Sequence, residues 1–404
     1  GSSGGPSGSS GTGGGANTPS AVTQWNDITF EAIAAQNPGF QSHTLAMVHL
    51  AVHDALNAID KKYAPYRYTG SAPGASVEAA VAAAAHDTLV QRAAPAAAVV
   101  EEKYTAALAA VAAGPAKDAG VAAGKAAAAA ILAAHGTDDL GGAAMAPYTP
   151  GTPGPGVYQP TPPLNISILV GWGGLPPFAL TSGSQFRSPA PLAVTSPEYA
   201  TDYNEVKDVG AVNSTTRTAE QSETGNFWYD AANREWHMAA RKGLDDVAAD
   251  EWRRARLLAL VSVAIMDGSI SSFETKYNFN FWRPITAVQA GDTDGNPATA
   301  GDAAWQPFCA TPPWPDHNST HAVAAAAAST VLAAELGDDH TFVVTSPTLQ
   351  GKTRTFAKFS VAAEEMAVSR IYCGIHFRNA MVQGIAQGKQ IADYAFNNLL
   401  RPVN

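Results

Sequence analysis

Residues 42–62 read SHTLAMVHLAVHDALNAIDKK, and their periodicity decides the fold class. Leu45, Val48, Val52, Leu56 and Ile59 recur at intervals of three and four, the apolar stripe of an amphipathic helix. Working outward, the same period runs through 25–37, and alanine-rich patterns over 76–92, 98–113 and 116–134 are separated by breaks at Pro95 and Gly114-Pro115. Further helical patterns occupy 198–209, 218–228, 233–242, 247–278, 321–336, 355–372 and 379–399, and only 342–345 reads as a stub of strand. The expected fold class is all-α, two packed helical bundles with a long Pro/Gly-rich connecting segment. Residues 1–22 are expected to form a flexible Gly/Ser-rich tether and 23–140 an N-terminal helical bundle. Residues 141–197 read as a Pro/Gly-rich wrap or linker, and 198–404 as the C-terminal bundle carrying the polar chemistry.

Composition narrows the function. With 404 residues, 25 Lys and Arg against 35 Asp and Glu, and a formal net charge of −10, the summed field repels nucleic acid, so an anion site must be a local basic pocket. Two cysteines exclude a disulfide-built scaffold. The longest strongly apolar run, Leu257 to Met266, is too short to cross a bilayer, and no transmembrane span is expected. The opening run of Gly, Ser, Thr and Pro reads either as a tether on a secreted or periplasmic protein or as an expression linker.

Chemistry-bearing residues gather in three segments of the C-terminal half. In the first, 276–284, Lys276 and Arg283 lie among Phe279, Phe281 and Trp282. Seven residues apart, they would fall about 20° from one another on a helix, and two cations on an aromatic segment suggest an oxyanion partner. Snorkelling over an apolar face is the plainer alternative. In the second, 311–321, a proline-rich approach leads to Asn318, Ser319, Thr320 and His321 at the start of a helix, where free N–H groups favour an anion. In the third, 369–376, Gly374 lets the chain double back so that Arg370 and His376 can face one point. A capped helix with a chance histidine, or a surface arginine, explains either segment alone.

Taken together, Lys276 with six residues to Arg283-Pro284, then Ser319-Thr320-His321, then Ser369-Arg370 with five residues to His376 resemble the three-part motif shared by vanadium-dependent haloperoxidases and the type 2 phosphatidic-acid and bacterial acid phosphatases. The Phe281-Trp282-Arg283-Pro284 context and the chain length resemble the haloperoxidase branch. The resemblance is dense from about residue 227 to 388. It implies vanadate as cofactor, His376 as metal ligand, and Lys276, Arg283 and Arg370 around the equatorial oxygens. Ser319 would add its hydroxyl and Thr320 its backbone N–H, with His321 as the acid-base residue. Asp230 matches the family carboxylate that pairs with the third-segment arginine, here Arg370. The implied reactants are hydrogen peroxide and halide, with a small organic substrate as acceptor.

Two positions depart from the family pattern. Thr320 stands where most members have glycine, so its side chain is expected to narrow the pocket. Ala380 stands where many members, phosphatases above all, carry an aspartate four residues after the histidine, which tilts the reading from phosphatase towards peroxidase. An acid phosphatase using His376 as nucleophile, and a non-catalytic oxyanion-binding protein, remain the alternatives. Trp314, Pro315, His317 and Phe273 are placed near the halide side. Elsewhere, His49 and His53 have the spacing of a zinc pair without its glutamate, and 292–296 resembles the start of a calcium loop without its glycine and glutamate. Both read better as packing or as a polar turn. Cys309 and Cys373 fall near the second and third segments, as a disulfide or as two separate thiols.

Overall fold

The computed structural model describes residues 19–230 and 233–403. Residues 1–18 of the expected tether lie outside the described residues, and residues 21 and 22 already belong to the first helix. The helices are α1 (Ala21–Ala32), α2 (Pro38–Ile59), α3 (Val77–Arg92), α4 (Ala97–Ala109), α5 (Pro115–His135), α6 (Leu140–Met145) and α7 (Pro197–Val209). After them come α8 (Ala219–Phe227), α9 (Arg234–Asp246), α10 (Glu251–Phe279), α11 (Pro284–Gln289), α12 (Thr320–Leu336), α13 (Phe359–Tyr372) and α14 (Arg378–Asn398). Among the described residues the fold is all-α apart from one short hairpin, β1 (Phe342–Thr345) and β2 (Thr353–Phe356), paired antiparallel with Phe342 opposite Phe356. The strand stub therefore has a partner where a helix was expected to begin, because Phe342 and Phe356 pack together with ring centroids 5.8 Å apart.

Two helices explain the arrangement of the rest. In α2 every residue from Ser42 to Ala58 is buried, and α10 is buried from Arg254 to Phe273. A helix with no exposed face must be central. The two pack on one another, and α12 packs on α10 as well. One continuous apolar cluster runs from Val22 through Leu50 and Leu258 to Leu400. At 29 residues α10 has the length and hydropathy of a membrane span, but it is sheathed by protein and buries Asp267 and Lys276. The first turn of α10 also anchors the chain start: the Glu251 carboxylate accepts from the Ser20 hydroxyl and from the N–H groups of Ala21 and Val22, satisfying free donors at the α1 N-terminus.

The 141–197 segment is an ordered strap laid along α10. Its Tyr158 N–H donates to Asn280 O at 2.9 Å and its Gly156 carbonyl accepts from Trp282 N–H at 3.1 Å. The buried Asp267 carboxylate takes the N–H groups of Phe178, Ala179 and Leu180 at 2.7 to 2.9 Å. Burial still pushes its carboxyl up to about 6. The α12–α14 crossing is tight: a Cβ on Gly388 would lie 2.3 Å from Val323 O, so only glycine lets α14 approach the helix that begins at Thr320.

Candidate active site: an oxyanion pocket in the C-terminal bundle

The three segments converge, though not as helical geometry alone suggests. Lys276 and Arg283 do not share a helix, because α10 stops at Phe279 and Asn280 turns left-handed at φ 51°, ψ 43°. Arg283 precedes Pro284, which confines it to extended backbone at φ −85°, ψ 156°. A turn rather than a helix face therefore brings the two cations together. The Lys276 ammonium donates to the carbonyls of Pro315 and Asp316, each at 3.1 Å, and of Asn318. It thereby holds the second segment in place. Burial drives its pKa well below the ordinary lysine value, with Arg283 adding to the effect and Asp316 opposing it.

Arg283 is fully buried, with Nε donating to Trp314 O at 2.7 Å and one terminal nitrogen to Ile375 O at 2.6 Å and to His376 Nε2 at 3.1 Å. Its other terminal nitrogen, Nη2, is buried without a partner. Arg370 donates from Nη1 to Tyr229 O at 3.0 Å and lies over the Tyr229 ring at 5.3 Å, and its buried Nε likewise has no partner. Burial lowers its pKa to about 10. Buried guanidinium N–H groups without acceptors are costly.

The third segment doubles back as its glycine predicts. After Tyr372, Gly374 adopts φ 76°, its N–H donates to Ile371 O, and Ile375 N–H donates to Arg370 O, a paired closure that ends the helix. A Cβ on Gly374 would lie 2.3 Å from Gly210 O. His376 is thereby turned inward, and its Nδ1 lies 2.8 Å from the Asp316 carboxylate. With Nδ1–H donating to that carboxylate, Nε2 keeps its lone pair. Burial and then the three cations hold the imidazole pKa well below its usual value, so the ring is neutral. Burial pushes the Asp316 carboxyl up to about 7, against the pull of Arg283 and Lys276.

Asp316 is the residue that sequence reasoning missed. The expected carboxylate was sought after the histidine, at Ala380, but it comes from the second segment. With Asp316 orienting His376, the alanine at 380 does not weigh against a histidine nucleophile. A carboxylate inside a proline-rich, otherwise uncharged approach was the available signal, since a buried acid needs a partner. Asp230 needs the opposite correction. It is exposed, accepts from Thr348 Oγ1 at 3.1 Å, and forms no ion pair with Arg370 among the described residues. Because α8 ends at Phe227, the chain turns so that the Tyr229 carbonyl, rather than the next side chain, meets Arg370.

At the α12 N-terminus, Ser319 is the cap, and its own N–H donates to Ala380 O at 2.9 Å. The Thr320 hydroxyl pairs with Ser272 Oγ of α10 at 2.7 Å. The side chain expected to narrow the pocket is thus committed to α10, and the Thr320 N–H is a first-turn donor without an intrahelical acceptor. His321 Nε2 donates to Tyr229 O at 3.1 Å, which leaves Nδ1 as its basic nitrogen. Burial, then Arg370, lowers its pKa well below the usual value. Phe273 and Trp314 meet edge to face at 5.3 Å, and His317 Nε2 donates to Pro189 O of the strap at 2.8 Å. Cys309 and Cys373 are joined as a disulfide with Cα atoms 4.9 Å apart, tying the approach to the second segment to the end of α13. His49 and His53 do not share a partner: His49 Nε2 meets Asn26 and His53 Nδ1 meets Asp54.

Residues 256–404 match the family model described as the VCPO second helical-bundle domain. An alignment of 138 positions is 35% identical to vanadium chloroperoxidase of Curvularia inaequalis, covering 28% of this chain and 22% of that enzyme's length. Over the whole chain, the fold is similar to the crystal structure of a bacterial vanadium-dependent iodoperoxidase, with TM-score 0.81 and 25% identity over 96% of this chain and 98% of that one. A holo-type bacterial vanadium-dependent chloroperoxidase shares the fold at TM-score 0.72 and 16% identity, over 92% of this chain and 96% of that chain. The pocket geometry, the match over α10 to α14 and the whole-chain fold place this chain in the vanadium-dependent haloperoxidase superfamily.

Proposed function

We propose that the chain is a vanadate-dependent haloperoxidase, oxidising halide with hydrogen peroxide to a hypohalous acid equivalent. One observation carries this reading: the unpartnered buried N–H groups of Arg283 and Arg370 lie with an imidazole whose Nδ1–H is committed to Asp316 and whose Nε2 lone pair meets only an Arg283 N–H, a donor that a bound anion would draw to itself. Such a set fits a tetrahedral oxyanion that also accepts one nitrogen ligand. Vanadate, when bound, would supply a Lewis-acid centre that polarises peroxide without a change of metal oxidation state.

The chain's own residues divide the remaining work. Lys276, Arg283 and Arg370 offset the anion's charge in a site shielded from water. Ser319 and the Thr320 N–H add donors at the α12 terminus, where the helix dipole favours negative charge. His376 Nε2 is the metal ligand, oriented from behind by Asp316. His321, anchored through Nε2–H to Tyr229, takes and returns protons at Nδ1. The disulfide fits an oxidising compartment, and we place the protein outside the cytoplasm.

Asp316 favours a second reading, an acid phosphatase in which the oriented His376 attacks phosphorus. One experiment separates the two. Vanadate-stripped protein is assayed for halide-dependent peroxide consumption before and after vanadate addition, beside a phosphate-ester assay. Activity appearing only with vanadate, and reconstitution blocked by phosphate, is the expected result. Ester hydrolysis without vanadate-dependent halide oxidation contradicts it.

A further inference from the structure

The N-terminal half holds a second buried grouping of imidazole and carboxylate that the oxyanion pocket does not use. His43 lies on α2, His135 ends α5, and Asp138 follows in the turn before α6. His43 Nε2 and His135 Nδ1 approach the same atom, Asp138 Oδ2, at 3.0 and 2.9 Å, and the three atoms lie within 4.8 Å of one another. The side chains of His43, His135 and Asp138 are 1%, 4% and 7% exposed.

Counting protons shows that this cluster needs a positive charge between His135 and Asp138, which either a second proton on His135 or a metal ion supplies. The Tyr66 hydroxyl has one proton and gives it to Phe178 O at 2.9 Å, so His135 Nε2, 3.0 Å from the same hydroxyl, must be a donor. In a neutral His135 the bare Nδ1 then faces a carboxylate oxygen at 2.9 Å. Two lone pairs do not share that gap without positive charge between them. The Nδ1 of His43 is buried without a hydrogen-bond partner, so its ring orientation is set by Nε2 alone.

We propose that His43 Nε2, His135 Nδ1 and Asp138 Oδ2 bind a divalent transition-metal ion of the zinc class, with a fourth position left to water. Bonds of about 2.0 Å in a tetrahedron set donor atoms about 3.3 Å apart, close to the two separations from Asp138 Oδ2. Tyr66 orients His135 from the outer side. Phe178 stacks on His135 with centroids 4.0 Å apart and meets His43 edge-on at 5.3 Å, forming a dry wall. A cleft of 490 Å³ lined by Arg92, Gly136 and Thr137 borders the turn that joins His135 to Asp138. The Arg92 guanidinium donates to Gly136 O at 3.0 Å, and its charge moderates the affinity. The ion would fasten the end of α5 to α2, far in sequence from the oxyanion pocket.

The test uses the full chain stripped of metal by a chelator, with Co(II) alone as the optical probe. One equivalent per chain should give the intense visible bands of tetrahedral cobalt, bleached by added Zn(II). Asp138→Asn should lose the bands, Tyr66→Phe should weaken binding about 10- to 100-fold, and His376→Ala should leave the bands unchanged. Absence of bands in the folded wild-type chain, bands that survive Asp138→Asn, or bands lost in folded His376→Ala would overturn the proposal. Should Asp138→Asn fail to fold by circular dichroism, Tyr66→Phe decides, and unaltered affinity there is equally fatal.

Discussion

Asp316 and Asp138 are both held by histidine, and they behave oppositely. Asp316, behind His376, is completely buried, and the nearest cations are occupied with backbone carbonyls; burial pushes its carboxyl up to about 7. Asp138 also loses solvation, but in the metal-free chain hydrogen bonds from His135 and His43 outweigh that loss and hold it at about 2. Around the His376–Asp316 pair stand Lys276, Arg283 and Arg370, an excess of positive charge with unpartnered N–H groups. Around Asp138 stand two imidazoles and one arginine bound to a carbonyl. The lesson is that the same pair of residue types serves opposite ligands. What surrounds the pair sets whether the pocket lacks an anion or a cation.

The sharpest way to break this comparison is at His321, which belongs only to the oxyanion side. His321→Ala should slow turnover at saturating vanadate by about 10² to 10⁴ while keeping most of the vanadate affinity, the usual worth of general acid-base catalysis. Steady-state kinetics paired with binding separates the two, and a parallel loss of both would remove the proton-transfer role.

Next in size is Asp316→Asn. An amide cannot fix the His376 tautomer as a carboxylate does, so vanadate affinity should fall about 10- to 100-fold. Titration of vanadate into the variant checks this; unchanged affinity would leave Asp316 a bystander.

The two carboxylates also predict opposite pH slopes. The folded pKa of Asp138 is depressed, so its contribution is present above the unfolded carboxylate value and is lost as pH falls from about 4 through about 2. A shift of this size is worth about 2 kcal/mol. The folded pKa of Asp316 is raised, so the native state binds the extra proton and stability declines as pH rises from about 4 to about 7. Denaturant midpoints against pH should show the acid-side loss vanish in Asp138→Asn and the later decline flatten in Asp316→Asn.

The smallest expected effect is at Asp230. Because its carboxylate meets Thr348 rather than Arg370, Asp230→Asn should alter vanadate affinity less than about threefold, a change of under 1 kcal/mol. A tenfold loss would restore the ion pair that the motif suggested.

That contrast also marks where sequence stops being legible. Local periodicity fixed most helices to within a few residues, since 76–92 and 198–209 correspond to α3 and α7 nearly end to end. The motif residues converge because each is placed by local chemistry: the cap at Ser319, the left-handed Gly374, the proline after Arg283. Asp316 and Tyr229 were illegible for the opposite reason. One acts through a side chain whose partner is 60 residues away and the other through a carbonyl, and neither leaves a local pattern. The same holds for His43, His135 and Asp138, which only the packing of α2 on α5 brings together.

The central claim is that His376 bonds the cofactor and the cations only cradle it. Equilibrium dialysis of vanadate against the wild-type chain and His376→Ala measures this directly. One vanadate per wild-type chain and loss of tight binding in the variant are expected, with Lys276, Arg283 and Arg370 left to give a weak, salt-sensitive hold. Wild-type affinity in a folded His376→Ala chain would contradict it.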